Sequence, residues 1–120
     1  MKQIVDESVN IDGTIIYLVL YKLNKSYLLL ISDQSDLGIG SVTLGSPPMI
    51  EGLKSTMASY RLFGVNKKLL STIIVEKASS VLKAPVLLLL FLKIEKKEEE
   101  LARPLAKFLK EVLSSIIDKN

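Results

Sequence analysis

The hydrophobic positions of this 120-residue chain centre on one continuous apolar run. Residues 86–92, Val-Leu-Leu-Leu-Leu-Phe-Leu, show no polar residue and no alternation, which is typical of a strand buried on both sides. Lys93 and Glu95 end the run well short of the about 20 residues that a membrane span needs. Residues 66–84 and 98–117 on either side have helical spacing. We therefore expect a strand near the middle of a sheet, with two amphipathic helices to cover it.

The part of the chain before residue 64 predicts strands joined by short connections. Asp12-Gly13 between two extended runs is a strong hairpin signal, since Gly tolerates positive φ, and a second turn is predicted at Asn24-Lys25. The predicted strands are residues 2–10, 14–22, 27–32, 40–44 and 56–63. The predicted order is β-β-β-β-β-α-β-α in a single domain over residues 1–120, and its first strands form an antiparallel meander.

The two helices have recognisable starts. Asn66 is a good N-cap for a helix that begins near Lys67. Residues 98–100 are all Glu and are interpreted as a solvated, dipole-stabilising helix start. Because Pro104 is tolerated only near a first turn, we expect the strong part of the last helix to begin near Ala102 or Arg103.

Composition narrows the chemistry that the chain can perform. It has no Cys and no His, which excludes disulfides, thiolate nucleophiles, zinc sites and imidazole catalysis. The net charge of +3 is spread out and lacks interleaved aromatic residues, so no nucleic-acid partner is predicted. No membrane partner is predicted either, because the longest apolar run is too short to span a membrane. Hydrophobic residues make up 48% of the chain, more than so small an interior can hold, and part of this surface is expected to meet another protein. Cytoplasm is the default location, and abundant Lys, Glu, Ile and Leu favours a thermophilic source.

No catalytic or cofactor constellation is predicted. Gly38-Ile39-Gly40-Ser41 has the look of a phosphate loop, but the third glycine is missing and a strand follows. Asp33 and Asp36 are more often turn formers than a carboxylate pair. The serines at 79–80 and 114–115 have no candidate base nearby. We expect no enzyme activity, no cofactor and no metal.

Residues 46–55 interrupt the strand pattern with a stiff and unusually apolar loop. Prolines cannot continue a central strand, and apolar side chains are unexpected in a loop. Two interpretations stay open: these side chains pack under the sheet, or they are exposed to be gripped by a partner. On the second interpretation the partner-binding residues are Pro47, Pro48, Met49, Ile50, Leu53 and Lys54.

Taken in order, several short segments resemble one known family. They are Asp12-Gly13-Thr14, residues 27–31 (Tyr-Leu-Leu-Leu-Ile), 40–44 (Gly-Ser-Val-Thr-Leu) with Ser46-Pro47, 60–64 (Tyr-Arg-Leu-Phe-Gly), 75–77, the run from Val86, and 108–112 (Phe-Leu-Lys-Glu-Val). From about Glu7 to its end, the chain resembles the proteasome assembly chaperone 3/4 family, as an archaeal-type homologue. It departs from the usual pattern at residues 98–100 and at Pro104.

The resemblance implies an α+β fold with an antiparallel sheet of about six strands and two helices. It also implies a homodimer, or a heterodimer with a related chain, that binds proteasome 20S α-subunits and promotes α-ring formation without a cofactor. Because helices cover only one sheet face in this layout, we expect the other face to meet a partner sheet. The strand over residues 14–22 offers Ile15, Tyr17, Val19 and Tyr21 on one face and Ile16, Leu18 and Leu20 on the other.

We predict that Ile16, Leu18 and Leu20 form the dimer interface. An alternative is a generic dimeric scaffold or regulatory module of the roadblock type, but such modules usually begin with a helix and this chain begins with strands.

Overall fold

Six strands and two helices make up the computed structural model, which describes residues 1–47, 57–61, 68–94 and 96–118. The elements are β1 Lys2–Ile11, β2 Thr14–Leu23, β3 Ser26–Ser32, β4 Ser41–Gly45, β5 Met57–Arg61, α1 Lys68–Leu82, β6 Val86–Phe91 and α2 Glu98–Asp118. The predicted α+β class and the element order are confirmed. The position of Asn66 as a helix cap lies outside the described residues.

The strands form one mixed sheet in the order β1-β2-β3-β6-β4-β5. β6 therefore joins a three-stranded meander to the β4-β5 hairpin, which confirms the apolar run as a central strand. The sheet departs from a wholly antiparallel meander at one place, because β3 and β6 pair in parallel, with Leu29 opposite Leu88. The chain returns to β6 only after α1, and this crossover brings β6 back in the same direction as β3.

The hairpin between β1 and β2 forms at the predicted Asp12-Gly13 pair. Both residues have positive φ, 50° for Asp12 and 86° for Gly13, as a type I′ turn requires. The Gly13 amide donates to the Asn10 side-chain oxygen at 2.8 Å, which holds the turn from one side. This turn fixes the β1-β2 register, with Asn10 opposite Ile15.

Both helices pack on the same face of the sheet. α1 lies over β4 and β6, while α2 lies beside α1 and reaches β1. The core lies between the helices and this inner face of the sheet. Its largest fully buried side chains are Ile16, Leu18, Leu20, Leu29, Ile31, Leu70, Ile74, Leu88, Leu101, Leu105, Leu109 and Leu113. The expectation that β6 is covered on both faces is therefore wrong for this chain on its own, because alternate β6 residues are only half-buried.

α2 begins at Glu98, at the start of the predicted helical stretch over residues 98–117, but Pro104 lies inside the helix, so the expectation that its strong part begins near Ala102 or Arg103 is wrong. Proline removes the hydrogen bond that its nitrogen would give to the carbonyl of Glu100. Glu100 is exposed, so water can satisfy that carbonyl. A contact with α1 stabilises the first turn of α2, because the Glu98 carboxylate accepts a 2.7 Å hydrogen bond from the Leu70 amide at the start of α1.

α1 approaches β4 closely because the residues at the contact are small. A Cβ built on Gly45 would come within 2.7 Å of Val75 Cγ2, so only glycine fits here without movement of Val75. The hydroxyls of Ser41 on β4 and Ser71 on α1 lie 3.4 Å apart in the same buried layer. This close packing fixes α1, and with it the covered face of the sheet.

Candidate protein-docking site

The sheet face opposite the helices is apolar across its four inner strands. We call it the outer face. It consists of Ile15, Tyr17, Val19 and Tyr21 on β2, Leu28 and Leu30 on β3, Leu87, Leu89 and Phe91 on β6, and Val42 and Leu44 on β4. Ile15 is 45% exposed and Leu44 46% exposed, whereas Val19 between Tyr17 and Tyr21 is only 7% exposed. The outer face thus has a recessed point at Val19 on β2 and protruding apolar residues at Ile15 and Leu44.

Strand pairing explains why these side chains gather on one face. Directly opposed residues point to the same side of a sheet, so each row crosses all four strands. One row joins Val19, Leu30, Leu89 and Val42, and the next joins Tyr21, Leu28, Leu87 and Leu44. The apolar surface is therefore continuous from β2 to β4.

Its size is that of an interaction surface. Four strands at about 4.8 Å spacing and five residues at about 3.3 Å rise give a patch of roughly 350–400 Å² once the side chains are included. This equals the largest apolar patch of a typical monomer, which often has a function. Within the described residues, no helix or strand packs on the outer face. A covering partner must come from outside this part of the chain.

The border of the outer face is polar on the β1 side. Asp6, Ser8 and Asn10 are exposed and lie opposite Val19, Tyr17 and Ile15 in the β1-β2 register. An apolar centre with a polar rim is the usual composition of a protein interface. At the end of β6, the Lys93 ammonium group lies 5.6 Å from the centre of the Phe91 ring and gives the outer face a cationic border there.

The predicted dimer-interface residues Ile16, Leu18 and Leu20 do not belong to this surface. All three are 0% exposed because they point toward the helices and form part of the core. Their assignment to an interface is corrected here, since a side chain fully enclosed by its own chain has no surface to offer another. The β2 residues that are available to a partner are those of the opposite face, with Tyr17 and Tyr21 half-buried.

The predicted partner-binding loop is described at one residue. Pro47 is half-buried and lies two residues after β4, which ends at Gly45. Pro48, Met49, Ile50, Leu53 and Lys54 lie outside the described residues. The choice between packing and partner binding for this loop stays a prediction.

The residues considered for chemistry have structural roles where the structure describes them. The Asp33 carboxylate accepts hydrogen bonds from the Lys93 amide at 3.0 Å and the Ile94 amide at 2.9 Å, so it anchors the chain after β6. The Gly40 amide donates to the Leu90 carbonyl at 3.0 Å and is not directed at an anion. A Cβ on Gly38 would lie 2.7 Å from the Phe91 ring, so close packing against Phe91 is a sufficient reason for a glycine at this position.

The described residues contain neither a metal-binding cluster nor a membrane-spanning helix. No three carboxylates among them come together in a way that could hold a metal ion. No described helix has the length and apolar character needed to cross a membrane. The anchoring contacts of Glu98 and Asp33 were not predicted from the sequence, because each bridges residues 28 or more positions apart and leaves no local pattern.

The comparisons with known proteins bear on the fold. No protein-family model matches the chain, and no curated protein matches its sequence. Among solved structures, the chain is similar to a chain of a novel chaperone complex for yeast 20S proteasome assembly, seen by crystallography. The TM-score is 0.59 and the identity 9%, over 98% of this chain and 95% of that chain. At this identity, what the two chains share is the fold, over nearly the full length of both.

Proposed function

We propose that this chain is a non-enzymatic assembly chaperone that pairs with itself or with a related chain, binds proteasome 20S α-subunits and promotes α-ring formation. The observation that carries the proposal is the outer face, a continuous apolar surface on which no described helix or strand packs, on a sheet whose other side is covered by both helices. The yeast chain of the same fold, which belongs to a chaperone complex for 20S proteasome assembly, supports it.

The outer face favours a sheet as its partner. Sheets that pack face to face bury alternate residues of every strand, and the outer face presents such a set from four neighbouring strands. A stable interface buries about 800 Å² per partner, roughly twice the area of the apolar centre alone. The polar rim on β1 supplies part of the remainder in the proposed dimer. The thermophilic, archaeal-type source stays a prediction.

The proposed contact with α-subunits is assigned to a different part of the chain. Residues 47–54 follow β4 and carry Met49, Ile50 and Leu53 in a proline-stiffened sequence, with Lys54 at the proposed polar rim. A few apolar anchors usually dominate the energy of an interface. Assigning dimerisation to the outer face and α-subunit binding to this loop allows the two activities to be tested separately.

The test is reconstitution with α-subunits from the same source. The chain and the α-subunits are produced together, and α-ring yield is measured by native mass spectrometry with and without the chain. We expect more closed rings in its presence, and co-purification of α-subunits with the tagged chain. An unchanged ring yield without co-purification would refute the proposal, and co-purification of a GTPase would favour the roadblock-type alternative.

Changing the loop separates binding from folding. Replacing Met49, Ile50 and Leu53 together by Ser should abolish capture of α-subunits and leave the melting temperature nearly unchanged. A collapse of the melting temperature would mean that these side chains belong to the core, and the loop assignment would then be withdrawn.

A further inference from the structure

A long groove runs between the edge strand β1 and the last helix. It consists of a cleft of about 600 Å³ and a second of about 350 Å³, which share Phe108 and Glu111 on α2. The first cleft is also lined by Ile4 and Glu7, and the second by Val9. We call the two together the β1-α2 groove. It follows nearly the full length of β1, on the side of the molecule opposite the outer face.

One wall of the groove can accept a further strand. β1 is at the end of the sheet order, so half of its backbone groups point away from β2, and the described part of the chain supplies no strand to pair with them. A register shift between Gln3 and Val5 disturbs the first part of β1. At the other end, Lys96 Nζ donates to the Ile11 carbonyl at 3.4 Å. The regular part of the edge therefore lies over residues 5–10.

The other wall provides apolar contacts along the same line. Phe108, Val112 and Ile116 lie one turn apart on α2 and are half-buried against the core. From β1, the half-buried Ile4 and Val9 face them across the groove. An extended chain beside β1 would direct every second side chain toward these residues.

Charge divides the groove into a middle and two ends. The exposed carboxylates Glu7 on β1 and Glu111 on α2 both line its middle part. Lys2 and Lys22 line one end and Lys107 lines the other. The middle of the groove therefore favours a cation that is flanked by apolar groups.

A second copy of this chain is a poor occupant of the edge. Antiparallel pairing of two β1 strands about the centre of the whole strand, between Asp6 and Glu7, would bring these carboxylates of one chain opposite those of the other. Like charges directly opposite each other destabilise a strand pair. The same carboxylates favour a strand that carries Lys or Arg at its centre.

We propose that the β1-α2 groove binds an extended segment of a protein partner, which adds to β1 as a strand and places a Lys or Arg side chain between Glu7 and Glu111. Apolar residues two positions before and after this cation fill the spaces beside Val112 and Val9. The groove and the outer face lie on opposite sides of the sheet, so the inference stands or falls independently of the proposed dimer.

Two matched peptides test the proposal on the intact chain. The probes are the blocked heptapeptides Thr-Val-Thr-Lys-Thr-Val-Thr and Thr-Val-Thr-Glu-Thr-Val-Thr, titrated into ¹⁵N-labelled protein. We expect the Lys peptide to shift the amide signals of residues 5–10 and of the groove side of α2, and to bind about tenfold more tightly than the Glu peptide. Shifts confined to the outer face, equal affinity for both peptides, or no shift at millimolar peptide would each overturn the proposal.

A charge reversal in the groove gives the decisive comparison. Glu111 is exposed, so Glu111→Lys should leave the fold intact, which the dispersion of the amide spectrum checks. We expect Glu111→Lys to reverse the preference between the two peptides, and Glu111→Gln to bring their affinities closer together. A preference that Glu111→Lys leaves unchanged would place the peptide elsewhere and refute the assignment.

Discussion

Replacing Leu44 by Lys should separate the proposed dimer without unfolding the chain. Leu44 lies on β4 at one side of the outer face and is 46% exposed in the single chain. Its backbone pairs with Leu87 of β6 and Ala58 of β5, and these hydrogen bonds do not depend on the side chain. A lysine at this half-exposed position can direct its ammonium group into water, so the single chain should tolerate the change.

The expected loss of dimer affinity follows from the side-chain area of Leu44 that a partner would cover. Burying a whole leucine side chain is worth about 1.5–3 kcal/mol, and roughly half of this side chain is left for a partner to bury, so its loss costs about 1 kcal/mol per subunit. In a symmetric dimer the change occurs twice, and holding an ammonium group at the interface adds to the cost. We expect the dimer dissociation constant to rise by about 30-fold or more.

Leu69→Lys is the matched control. Leu69 is the same residue type with nearly the same exposure, 47%, but it lies on α1, away from the outer face. Sedimentation velocity over a dilution series measures the dissociation constant of each variant, and urea unfolding measures stability. We expect Leu69→Lys to associate like the unchanged protein. Equal dissociation constants for all three proteins would refute the outer face as the interface.

Three further predictions concern the packing that holds the outer face in place. Leu18→Ala should lower the free energy of unfolding in urea by about 2–5 kcal/mol, because Leu18 is 0% exposed in the core; a loss below about 1 kcal/mol would argue against that placement. Gly45→Ala should cost about 1–3 kcal/mol through its clash with Val75, and adding Val75→Ala should relieve the clash; strictly additive effects in the double variant would contradict this contact. Glu98→Ala should cost about 1 kcal/mol in thermal unfolding by removing the acceptor for the Leu70 amide, whereas Glu98→Gln keeps an acceptor oxygen and should cost less; equal losses would count against the hydrogen bond.

The strand order along the chain and the central strand were predictable because their signals are local. The Asp12-Gly13 turn needs positive φ at both positions, and residues 86–92 contain no polar side chain, so both patterns have a single structural explanation. The parallel pairing of β3 with β6 has no such signal. It depends on where the chain returns after α1, which is a property of the whole fold.

Which face of β2 packs against the helices was not predictable, for a related physical reason. A strand with one polar face shows which side meets water, but β2 has apolar residues on both faces over residues 15–21. Ile16, Leu18 and Leu20 face the helices, and the alternate set with Val19 faces outward. The sequence predicted that one face of this strand needs a partner, and only the packing of α1 and α2 determines which one.

The β1-α2 groove was also beyond prediction. It depends on α2 beginning at Glu98, which places Pro104 within the helix and brings Phe108 and Glu111 beside β1. The sequence places the proline but does not show that water can satisfy the carbonyl it leaves unpaired. A later start for the strong part of the helix was therefore the simpler prediction.

Hydroxyl-radical footprinting of the tyrosines tests most directly whether another sheet covers the outer face. Tyr17 and Tyr21 lie on that face, whereas Tyr27 lines the β1-α2 groove and serves as an internal reference. In the native protein, we predict that Tyr17 and Tyr21 are oxidised several-fold more slowly than in Leu44→Lys, while the rate at Tyr27 stays the same. If Tyr17 and Tyr21 are oxidised as fast in the native protein as in Leu44→Lys, the outer face is open to solvent in the native protein, which contradicts the account.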